Sequence, residues 1–86
     1  MDSIQLLANE YHQDILSSID AYARSIRPYL SDEDFDKAMH KHISDWKVRL
    51  SDISNDTLVD PIKKEIVDIN LSIVNSWLYT LNKRMN

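Results

Sequence analysis

Apolar residues recur along this chain at helical spacing in three blocks. In the first, Ile4, Ala8, Tyr11, Ile15, Ile19, Tyr22 and Ile26 follow one another at intervals of three or four. Positions so spaced share one face of a helix. The block predicts a helix over residues 2–27, closed at Arg27-Pro28, because a residue before proline is pushed out of the helical region. The second block is Phe35, Ala38, Met39, His42, Ile43, Trp46, Leu50 and Ile53. Ser31 precedes it as an N-cap, and Asp32, Glu33 and Asp34 fill the first turn, where acids favour the helix dipole. That predicts a helix over 32–54, stopped by the turn formers Ser54-Asn55-Asp56-Thr57. The third helix is expected over 60–84. It opens on Asp60-Pro61, an N-cap followed by proline at the first helical position.

The third helix differs from the other two. Its apolar residues form two seams. Leu58, Ile62, Ile66, Ile69, Ile73 and Trp77 lie on one, and Val67, Leu71, Val74, Leu78, Leu81 and Met85 on the other. Together they span roughly 220° of the helix surface, against about 100° for an ordinary surface helix. In a three-helix bundle each helix touches two others, so both seams can be core. The competing expectation is that the second seam meets another protein, with Val67, Leu71, Val74, Leu78 and Leu81, and Trp77 of the first seam beside them, as the interface. Asn70 falls between the seams, as a register-setting Asn in an oligomer or as a solvent-wetted residue.

The expected fold is therefore all-α, an antiparallel three-helix bundle forming one domain over 1–86, with assembly as a helical homodimer as the way to cover a second seam left outside the core. Composition narrows the rest. The 86 residues include no cysteine, which excludes disulfides and thiolate metal sites. They include no glycine, which excludes P-loops and dinucleotide fingerprints. The opening residues lack a signal-peptide pattern and no apolar run is long enough to span a membrane, so a cytoplasmic protein is expected.

The net charge is −4. An acidic balance argues against direct nucleic-acid binding, which needs cations to neutralise phosphates. A helix-turn-helix reading meets the same objection, since Lys37, Lys41 and Lys47 are interrupted by Asp36 and Asp45. The densest charged feature is Asp32, Glu33, Asp34 and Asp36. It reads as a charged helix start or as an acidic surface for a basic partner. The remaining charges fall four apart, as self-paired surface residues do: Asp20 and Arg24, Glu33 and Lys37, Lys41 and Asp45, Asp45 and Arg49, Lys64 and Asp68.

Candidate chemistry is sparse. His40 and His42 are two apart and point to opposite sides of a helix, so they form no local metal pair, and no metal or cofactor is expected. His42 lies on the apolar stripe, as a boundary histidine or a pH-sensitive one. No serine stands in a nucleophile elbow, and Asp32 and Asp36 are accounted for by helix capping. Trp46 and Trp77 are core anchors or binding hot spots, with Tyr79 beside the latter. The expectation is a non-enzymatic protein-interaction module of the inhibitor, immunity or adaptor type, acting on a larger protein complex such as a nuclease or a host-defence complex. The alternative from another class is a small transcriptional regulator or nucleoid-associated DNA-binding protein.

Overall fold

The structure, a computed structural model, describes residues 3–85. It contains α1 (Ser3–Ile26), a single 3₁₀ turn (Arg27–Tyr29), α2 (Asp32–Asn55) and α3 (Pro61–Met85). The second and third helices begin and end within one residue of expectation. The first ends at Ile26, one residue early, and its expected start at Asp2 lies outside the described residues.

Local chemistry sets these boundaries. Pro28 sits inside the 3₁₀ turn that follows α1. The Ser31 hydroxyl accepts a hydrogen bond from the Asp34 backbone N–H at 3.2 Å, which caps α2. Asp60 Oδ1 accepts from the N–H of Ile62 at 2.8 Å and of Lys63 at 3.4 Å, which caps α3 ahead of Pro61. Between α2 and α3, Asp56 Oδ1 accepts from the N–H of Leu58 at 2.9 Å and holds the turn.

The helices run up, down and up, so α1 and α3 are parallel to each other and antiparallel to α2. Helices of 24 or 25 residues are about 36 Å long, in keeping with a molecule of 42 × 23 × 20 Å. The α2–α3 hairpin is the most extensive pairing, and α1 lies against α3 more than against α2.

The core is Ile15 from α1, Met39, Ile43 and Leu50 from α2, and Val67, Val74, Leu78 and Leu81 from α3. Ile15, Leu50 and Val67 are wholly enclosed, each contributing on the order of 1.5–3 kcal/mol by burial. This decides the question of the two seams. Val67, Val74, Leu78 and Leu81, expected to meet a partner, are covered by α1 and α2 instead. Leu71 and Trp77 are half-buried and packed against the same cluster. Within the chain, that seam is core at Val67, Val74, Leu78 and Leu81.

The other seam is open at its start. Leu58 is 91% exposed and Ile62 53%, while Ile66, Ile69 and Ile73 are half-buried. The geometry of α1 explains the exchange. Ala8, at the heart of the α1 stripe, meets α3 at Asn70, between the seams. The N-terminal part of α1 therefore leaves the Ile62 side of α3 uncovered.

Asn70 is fully buried, so it is neither solvent-wetted nor set against a second chain. Its Nδ2 donates to the Ala8 carbonyl at 3.2 Å and to the Ile66 carbonyl at 3.0 Å, and its Oδ1 has no partner. It ties α1 to α3 within one chain. At the other joint, the Ser54 hydroxyl donates to Asp68 Oδ1, and Lys64 Nζ donates to Ser54 Oγ at 2.9 Å and to Asp68 Oδ2 at 3.1 Å. These bonds tie the end of α2 to the start of α3.

Candidate interaction surface

The acidic start of α2 is largely neutralised within the chain. Asp32 pairs with Arg27 at 2.7 Å, Glu33 with Lys37 at 3.2 Å, and Asp36 with Arg84 at 2.6 Å. Arg84 stands at the far end of α3, so the last pair closes the bundle across two helices. Only Asp34 lacks an ion pair among the described residues, and its backbone N–H is used in the cap. Three of the four acids are thus held in ion pairs within the chain, while the Asp32 and Glu33 side chains stay exposed. Lys37 and Lys41 are likewise occupied, by Glu33 and Asp45.

Of the expected surface pairs, Asp20 with Arg24, Glu33 with Lys37, Lys41 with Asp45, and Lys64 with Asp68 are formed. Arg49 instead lies over the Trp46 ring, 4.6 Å from its centroid. Trp46 is thus half-buried beneath a cation. Trp77 packs its ring against His12 at 5.5 Å, and Tyr79 projects outward with Lys83 over its face.

Two apolar grooves open on the surface. The first, of about 300 Å³, lies between α2 and α3 and is lined by Phe35, Met39, Ile43, Trp77 and Leu81. Its charged rim is already paired: Arg84 holds Asp36, and Arg27, bonded to Asp32, covers the Phe35 ring at 4.6 Å.

The second groove, of about 270 Å³, lies between α1 and α3. Leu7, Tyr11, Ile66 and Val67 form its apolar wall, with Glu10 and Asp14 on the α1 lip and Lys63 on the α3 lip. None of these three charges forms an ion pair among the described residues. The groove adjoins the open seam, because Ile66 belongs to both and Ile62 precedes it by one turn. Leu7, 44% exposed, joins the same strip from α1.

This edge was missed from the sequence alone, although a signal was present. Glu10 and Asp14 have no Lys or Arg three or four residues away, unlike the paired acids elsewhere. Among the described residues no three His, Asp or Glu side chains converge to hold a metal ion, and no helix is long and apolar enough to cross a membrane. No family model, curated protein or solved structure matches the chain.

Proposed function

We propose that this chain is a small acidic, non-enzymatic protein-interaction module that works by seating another protein on its α1–α3 edge. It belongs by this reading with inhibitor, immunity and adaptor-type proteins, which modulate a larger assembly by occupying a surface. One observation carries the reading. Exposed Leu7 and Ile62, with half-buried Ile66, Ile69 and Ile73 following Ile62 along α3, stand at a groove whose charges form no ion pair among the described residues. A contiguous apolar strip rimmed by polar groups costs solubility and marks a contact surface.

Immobilised wild-type chain and an Ile62→Asp variant, both shown to be folded, test this in a native lysate. The wild type should retain a defined protein and the variant should not. Equal retention by both, or retention by neither, contradicts the reading.

A further inference from the structure

We infer that the protein seated on the α1–α3 edge is a second copy of this chain, related to the first by a two-fold axis running along the groove. The inference rests on reading that edge as a contact surface.

Charge is the first argument. The two lips carry opposite signs, Glu10 and Asp14 on α1 and Lys63 on α3, and none forms an ion pair among the described residues. A basic foreign helix laid in the groove would suit Glu10 and Asp14 but would press against Lys63. An acidic helix would do the reverse. A two-fold interface matches a patch to itself. With the axis parallel to the helices, the α1 lip of one protomer lies over the α3 lip of its partner at the same height. Lys63 then faces the partner's Glu10 and the partner's Asp14, and the contact occurs twice.

Shape is the second argument. Leu7, 44% exposed, lines the groove from α1, and Ile62, 53% exposed, stands on α3 one turn before the lining residue Ile66. The same operation brings Ile62 of one protomer toward the partner's Leu7, so each covers the other. Ile62, Ile66, Ile69 and Ile73 follow at spacings of four, three and four, the pattern with which two helices mesh side by side. Ile66, Ile69 and Ile73 are half-buried and Ile62 is 53% exposed, as a strip covered on one side only would show.

The full chain is examined by sedimentation velocity over a dilution series, as wild type, as Glu10→Lys/Asp14→Lys, as Lys63→Glu, and as an equimolar mixture of the two variants. All three substituted positions are exposed, and circular dichroism confirms that each variant is folded. The wild type should be a dimer. Each variant alone should dissociate about tenfold more readily, because exposed charge pairs are individually weak and several are reversed together. The mixture should recover the wild-type mass, since both lip contacts become attractive again. A wild type that stays monomeric at about 100 µM, or a mixture no better associated than either variant, overturns the inference. A monomer that retains a different protein through Ile62 overturns only the second copy. A monomer whose capture is indifferent to Ile62→Asp overturns the proposed function as well.

Discussion

The imidazole of His42 lies flat on the ring of Tyr22, with centroids 4.2 Å apart and planes within 5° of parallel. The stack is a direct joint between α2 and α1, the least extensively packed pair of helices. Nε2 of His42 is buried and has no hydrogen-bond partner among the described residues. Burial holds the imidazole below its ordinary value of 6.5, opposed by Asp45 and assisted by Arg49. The folded state therefore prefers neutral His42, whereas the unfolded chain protonates it freely near 6.5. Stability from this source is complete above that pH and falls as pH drops toward the lower folded value. Urea denaturation across this range should show the wild type losing stability relative to a His42→Phe variant, which keeps the stack and cannot titrate. Parallel curves for the two proteins would contradict this account.

Asn70 gives a test of the α1–α3 joint. An Asn70→Asp substitution keeps the shape but replaces a donor with a carboxylate facing the carbonyls of Ala8 and Ile66. A buried charge without a cation partner is costly, so the loss should be at least about 3 kcal/mol at neutral pH. The deficit against wild type should shrink as pH falls and the carboxyl is protonated. A loss under about 1 kcal/mol would mean that residue 70 is hydrated.

The α2–α3 corner makes a separate prediction. The Asp68 carboxyl is held below its ordinary value first by the Ser54 hydroxyl and next by Lys64. Its contribution to stability is present above the unfolded carboxyl value and is lost as pH falls through the folded one. Ser54→Ala should raise the Asp68 value in a carbon-detected NMR titration and cost about 1 kcal/mol. An unmoved titration would show that the hydroxyl does not bond the carboxylate in solution.

At the opposite end, Asp36→Asn should destabilise the protein by about 0.5–1 kcal/mol, because it releases Arg84 and the contact between α2 and the end of α3. Asp34→Asn, two residues away and without an ion pair, should change stability by less than half of that. Thermal unfolding of the two variants side by side measures the difference. Equal losses would return the acids to a uniform charged surface.

These effects divide according to how local their causes are. The caps at Ser31 and Asp60 and the pairs four residues apart depend on neighbours in sequence, and they are legible there. The three helices and their antiparallel order follow from the same signals. The role of Asn70 is not legible, because it depends on where Ala8 of α1 settles 62 positions away. The assignment of the seams turns on that same long-range choice. Either seam of α3 is apolar enough to be core, and only the approach of α1 between the seams, at Asn70, leaves Ile62 in the open. The tie between Asp36 and Arg84 is not legible for a like reason, since the two lie 48 positions apart.

The assignment of the two seams is the claim on which the contact surface depends. Thermal unfolding by circular dichroism of Leu78→Asp beside Ile62→Asp tests it directly. The account predicts that Leu78→Asp, which places a charge in the core, abolishes the cooperative helical transition. It predicts that Ile62→Asp keeps the full helical signal and a cooperative melt. A folded Leu78→Asp protein together with an unfolded Ile62→Asp protein would exchange core and surface and contradict the account.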